Sequence, residues 1–159
     1  MTYILVEDEV ACPPESVPVR LAAHLGGDGE IPAHSTYHLE VPFEDVGLPK
    51  IGEFTAEVQL DVGEPERHRA FATLSVTRIP IRWSVPSNSA LPTFEGYIEV
   101  TPLSRAAAQL AVIGHYRPPG SLLGAAFDAA AGRRMAEATA RHFLRNVKRA
   151  VERTPASAG

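Results

Sequence analysis

Residues 121–153 read SLLGAAFDAAAGRRMAEATARHFLRNVKRAVER, and the fold turns on this stretch. Leu122, Ala125, Ala129, Ala136, Ala140, Phe143, Val147 and Val151 recur at helical spacing. Arg133, Arg134, Glu137, Arg141, Arg145, Lys148 and Arg149 occupy mostly the remaining surface. Ser121 suits an N-cap, and Pro118-Pro119-Gly120 breaks whatever precedes it. Gly124 and Gly132 each cost about 1 kcal/mol relative to alanine in a helix interior. Together with the many alanines of the first half, they predict close packing there or a bend near Gly132. One long helix with one apolar stripe must bury that stripe against something else.

The rest of the chain is almost free of helix signals and offers an apolar sheet face. Ile4, Val6 and Val10 share a parity over residues 2–11, a first strand ended by Cys12-Pro13-Pro14. Pro14 to Leu25 predicts a short helix with Val17, Leu21, His24 and Leu25 on one side and Gly26-Gly27 as its stop. Residues 33–43 alternate weakly. Phe54, Ala56, Val58, Leu60 and Val62 alternate cleanly with polar neighbours. Over residues 69–85 the apolar parity switches between Ala72, Leu74, Val76 and Ile79, Ile81, Trp83, Val85. A bulge near Arg78 and Pro80 would reconcile the two sets. Phe94, Gly96, Ile98 and Val100, then Ala108, Leu110, Val112, Gly114 and Tyr116, predict a closing antiparallel hairpin. The expected fold is therefore α+β: a curved antiparallel sheet of six strands, or seven if 69–85 or 33–43 holds two, gripping one C-terminal helix.

Composition sets outer bounds. The chain has 159 residues, 45% of them hydrophobic and 21% charged, which fits one soluble domain, expected over 1–153 with a frayed tail at 154–159. No apolar run approaches the ~18 residues that span a bilayer, so stable membrane insertion is not expected. The acidic start is unlike a secretory leader, and the single cysteine, Cys12, fits a cytoplasmic setting. The net charge of −4 argues against nucleic acid as a partner. Residues 121–153 hold seven Lys/Arg against three acids, a net +4 on a chain whose remainder is −8. A solvated helix face with basic residues toward the negative pole of its dipole accounts for this. Nothing in the composition fixes an oligomeric state, and a homodimer stays open.

Three segments carry a family likeness. They are Pro92-Thr93-Phe94-Glu95-Gly96-Tyr97-Ile98-Glu99-Val100, then Leu110-Ala111-Val112-Ile113-Gly114-His115-Tyr116-Arg117-Pro118-Pro119-Gly120, then the Ala-rich helix. Over roughly residues 70–152 the chain resembles the START-like superfamily, the helix-grip group that includes birch-pollen-allergen-like and polyketide cyclase-like proteins. The resemblance implies an interior cavity for a hydrophobic small molecule such as a lipid, sterol or polyketide. It also implies two short helices after the first strand, where this sequence reads as one.

The candidate pocket residues follow from parity. Trp83, the only tryptophan, shares the inner face with Ile81, and its indole can be core or cavity lining. Phe54, Val58, Leu74, Phe94, Ile98, Leu110 and Val112 are the other inward candidates of the strands, and Met135 and Phe143 those of the helix. Chemistry is harder to find. His34 and His38 stand ~13 Å apart if on one strand, too far to share an ion. His38 with Glu40 gives two ligands where zinc wants three or four. Glu95 and Glu99 fall on the parity opposite Phe94 and Ile98, and so does His115 relative to Tyr116. No nucleophile elbow or phosphate loop is present, and Cys12 has no partner base nearby in sequence. No catalytic residue, metal or cofactor is assigned. A carrier for a hydrophobic molecule is the first expectation. An enzyme of the cyclase or dehydratase kind would need an inward acid or base. A protein-interaction module would use the helix or the outer sheet face.

Overall fold

The computed structural model describes residues 2–26, 34–42, 53–71, 73–84, 93–117 and 129–153, with the side chains of 2, 38–42, 53–57, 129–132 and 135 outside that description. The strands are β1 (Thr2–Val10), β2 (His34–Pro42), β3 (Glu53–Val62), β4 (Glu66–Arg69), β5 (Ser75–Ser84), β6 (Thr93–Pro102) and β7 (Ala108–Arg117). A 3-10 turn at Pro14–Ser16 runs into helix α1 (Val17–His24), and α2 spans Ala129–Arg153. The expected N-cap Ser121, Leu122 and Ala125 lie outside the described residues, as do the loop at 86–92 and the tail at 154–159. The fold is α+β. A seven-stranded antiparallel sheet in the order β1-β7-β6-β5-β3-β2, with β4 also on β5, packs against the C-terminal helix.

Alternation decides which residues face α2. Ile4, Val6, Val58, Leu60, Ile79, Ile81, Ile98 and Leu110 all join one buried cluster with Ala136, Ala140, Phe143, Val147 and Val151 of α2. The helix touches β1 and β2, the two edges of the sheet path, as well as β7. Its C-terminal end is fastened by polar contacts: Arg20 Nη1 donates to the Val151 carbonyl at 2.8 Å, and the Ala11 amide donates to Glu152 Oε2 at 2.8 Å. Lys148 reaches Asp8 of β1 at 3.3 Å. In α1, Pro18 sits in the first turn, where its missing N–H costs nothing. Gly26 takes φ 85° just past the C-cap, a conformation that a side chain would resist.

The 69–85 stretch is not one bulged strand. Ala70 and Phe71 amides both donate to the Leu74 carbonyl, so Leu74 closes a turn between β4 and β5, half-buried and outside the main cluster. That turn supplies the seventh strand. From Thr77↔Val100 to Trp83↔Phe94 the β5–β6 register never slips. The extra residue lies on the other neighbour instead. Val62 faces Ile81 and Glu66 faces Arg78, so Gly63, Glu64 and Pro65 oppose only Ile79 and Pro80. The Gly63 amide still donates to the Pro80 carbonyl at 2.8 Å. Val76 is buried, but on the Arg78 and Arg82 side of β5, apart from the main cluster.

Gly96 and Gly114 face each other across β6 and β7. A Cβ on Gly114 would run into the Glu95 carbonyl oxygen and stand 2.8 Å from Phe94 Cζ, and one on Gly96 would run into the Ile113 carbonyl oxygen. The Phe94 ring thus covers the space that a side chain at 114 would need. Gly114→Ala is expected to cost roughly 1–3 kcal/mol, the usual penalty for forcing atoms into a packed interior. Urea unfolding of the full chain measures it, and an unchanged midpoint would contradict so close an approach.

Candidate functional site

One level of the sheet gathers the inward polar atoms. Strand register aligns Ser35, Leu60, Trp83, Phe94 and Tyr116 as successive cross-strand neighbours on β2, β3, β5, β6 and β7. The Trp83 indole stacks on Phe94 with centroids 4.4 Å apart and meets Phe143 of α2 at 5.2 Å. Phe143 in turn meets Tyr37 edge-on at 5.5 Å, and Tyr37 meets His24 of α1 at 5.8 Å. This is a continuous aromatic seam between the sheet and both helices.

The seam is apolar except at its handles. Trp83 is 1% exposed, and neither its Nε1–H nor the buried Ser35 Oγ has a hydrogen-bond partner among the described residues. Leaving a buried donor or acceptor unmade costs about 1–3 kcal/mol. Adjacent strands lie ~4.8 Å apart, so Ser35 and Trp83, two strands apart in the same row, stand ~10 Å from each other. At the other end of the row, Tyr116 Oη lies 3.5 Å from Oγ1 of Thr139, the one buried polar residue of α2 among the described side chains. His24 Nε2 and Tyr37 Oη are 3.3 Å apart. Burial, helped by the charge of Arg153, lowers the His24 pKa below its ordinary value.

Val58, Ile81, Trp83, Phe94, Ile98, Leu110, Val112 and Phe143 are all brought into the one buried cluster. Leu74 is not, and the side chains of Phe54 and Met135 lie outside the description. Sequence reasoning passed over Ser35, Tyr37 and Thr139. Residues 33–43 alternate too weakly to give a face, and a threonine does not stand out in an apolar stripe. His24 and Tyr116 were legible as inward positions, but only the fold gives them partners. His34 makes a 2.6 Å contact with Asp61 on β3, on the outer face. Glu99 pairs with Arg78 at 3.0 Å, and His115 packs edge-on against Tyr3. Among the described residues no group of three His, Cys, Asp or Glu could hold a metal ion, and no helix is long and apolar enough to cross a membrane. Burial raises the Cys12 pKa despite nearby Arg20, which disfavours the thiolate.

The chain matches no protein-family model, no curated protein and no solved structure.

Burial pushes the Tyr116 phenol well above its ordinary range, with the Thr139 contact pulling slightly back. An unfolded tyrosine ionises near pH ~10. The unfolded chain therefore loses this proton first, and stability, full below that pH, falls as pH rises through it. Tyr116→Phe is expected to flatten the loss of stability that urea titrations would show as pH rises above about 10, with little effect below about pH 9. Parallel curves for variant and wild type would contradict the assignment.

Proposed function

We propose that this chain binds a hydrophobic small molecule, of lipid, sterol or polyketide-like character, between the sheet and α2. The observation that carries this reading is the pair of buried, unpartnered polar atoms on one cross-strand row, Trp83 Nε1 and Ser35 Oγ. Buried polar groups in folded proteins are nearly always paired, and exceptions point to function or to an absent partner. A mostly apolar ligand with an acceptor for the indole N–H would satisfy the first. A second polar group ~10 Å away along the row would satisfy the other. Burial of the ligand's apolar surface at ~25 cal/mol per Å² drives association, and the polar row sets orientation. In this reading the chain is a START-like helix-grip domain. A sheet closed by one long C-terminal helix supports that, as does the close mid-strand approach of Gly96 and Gly114 within the segments that carry the resemblance.

A second reading, proton transfer on the bound molecule, has one specific observation behind it. His24 and Tyr37 form an inward imidazole–phenol pair, and burial favours the neutral imidazole. Such a pair can relay a proton beside an apolar substrate. Recovery of a polyketide-like probe chemically changed by the wild type, and unchanged by His24→Gln, distinguishes this from carriage alone.

Native mass spectrometry of the full chain with oleate and with a sterol tests the main proposal. At least one of the two is expected to give a 1:1 complex. Trp83→Phe keeps the ring stacking but removes the indole N–H, and is expected to weaken that complex roughly tenfold, the equivalent of ~1.4 kcal/mol. Absence of a complex with either probe, or an unchanged affinity in Trp83→Phe, would overturn it.

A further inference from the structure

The outer face of the same sheet level carries a second, polar row. His34, Asp61, Arg82, Glu95, His115 and Tyr3 are successive cross-strand partners on β2, β3, β5, β6, β7 and β1. Beside it, Ser84, Thr93 and Arg117 lie one step along the same face. Arg82, Ser84, Thr93, Glu95, His115 and Arg117 line a groove of about 420 Å³. On the other side of Arg82 and Glu95 a shallower groove of about 370 Å³ opens over Gly63 and Pro80.

The charges of this face are unevenly matched. Arg78 is taken by Glu99 at 3.0 Å and lies over the Tyr97 ring at 4.7 Å. Asp61, the acid opposite Arg82, is engaged by other partners: the Gln59 amide donates to Asp61 Oδ1 at 2.8 Å and His34 Nδ1 lies 2.6 Å from the same oxygen. These contacts hold the Asp61 carboxyl below its ordinary range, and Arg82 adds to this from beyond ion-pair distance. Among the described residues neither Arg82 nor Arg117 makes an ion pair, although Glu95 stands between them in the register. Two guanidiniums therefore reach one groove from different strands, with two hydroxyls and an imidazole around them, and one carboxylate short of neutrality.

We propose that this outer groove binds the phosphate group of a small organic phosphate monoester. One guanidinium fork matches a single planar carboxylate, whereas two forks arriving from β5 and β7 match a tetrahedral dianion with three acceptor oxygens. Ser84 and Thr93 supply neutral donors, and a groove of about 420 Å³ leaves room for the organic part beside the phosphate. Glu95 opposes the anion, so it lowers the affinity and favours ligands whose own donors can meet it. The site is on the opposite face from the interior of the sheet and does not depend on what the interior binds.

Phenyl phosphate titrated into the full chain at constant ionic strength, followed by amide NMR shifts, tests this. Saturable shifts are expected at Ser84, Thr93, Glu95 and Arg117, and not along α2. The double variant Arg82→Ala/Arg117→Ala is expected to lose at least tenfold in affinity, while Glu95→Gln gains severalfold and Arg133→Ala, on α2, changes nothing. All four side chains are exposed, and unaltered thermal melts establish that the variants fold. Shifts that never saturate, an affinity indifferent to the double variant, or a Glu95→Gln variant that binds more weakly would each overturn the proposal.

Discussion

The contact on which the rest depends is the stack of Trp83 between Phe94 and Phe143. Phe94 lies over Gly114, in space that any side chain at 114 would take. Laid there, its ring offers a flat surface 4.4 Å from the indole, and the indole's tilted neighbour 5.2 Å away belongs to α2. A glycine on one strand thus sets the position of an aromatic ring on the next, which sets the tryptophan, which receives the helix. Aromatic pairs of this kind add about 0.5–1.5 kcal/mol beyond the area they bury. Their larger consequence here is geometric. Phe143 can meet Trp83 only if α2 lies across the inner face, and the polar contacts of its last turns hold it there from the other end.

Strict alternation then gives each sheet level two different surfaces. Ser35, Leu60, Trp83, Phe94 and Tyr116 point inward, and their immediate chain neighbours His34, Asp61, Arg82, Glu95 and His115 point outward. A one-residue slip of any of these strands would exchange an inward side chain for an ionisable one. The register is therefore held from both sides, by the apolar seam within and by pairs such as His34–Asp61 without. Both proposed sites lie near this level, where, among the described residues, an indole N–H and a serine hydroxyl inside have no hydrogen-bond partner and two guanidiniums outside make no ion pair.

Much of this was legible in the sequence. The period-3.6 stripe ending at Val151 placed the helix, and the period-2 runs through Val58, Ile98 and Leu110 placed the sheet with the right faces. Trp83, Phe94 and Phe143 emerged as inward residues from parity alone. The reading failed at residues 69–85, where Leu74 and Val76 looked like one apolar face. Leu74 instead closes a turn, and Val76 is buried on the opposite side. Apolarity shows that a residue is buried but not against which layer, and the extra residue at Gly63–Pro65 is invisible without the register of its partner strand. Ser35 and Thr139 escaped for a related reason: a small polar residue shows itself as inward only when the neighbours that enclose it are known.

The Trp83 indole N–H is enclosed by the sheet–helix seam and has no acceptor among the described residues. Because the chain has one tryptophan, the indole gives a single resolved ¹H–¹⁵N resonance. The decisive measurement is the exchange of that proton with water, compared before and after an apolar probe such as oleate is added. The expected proton exchanges far more slowly than that of a free indole and moves downfield when the probe supplies an acceptor. A proton exchanging at the rate of an exposed indole, or one whose resonance ignores every such probe, would contradict it.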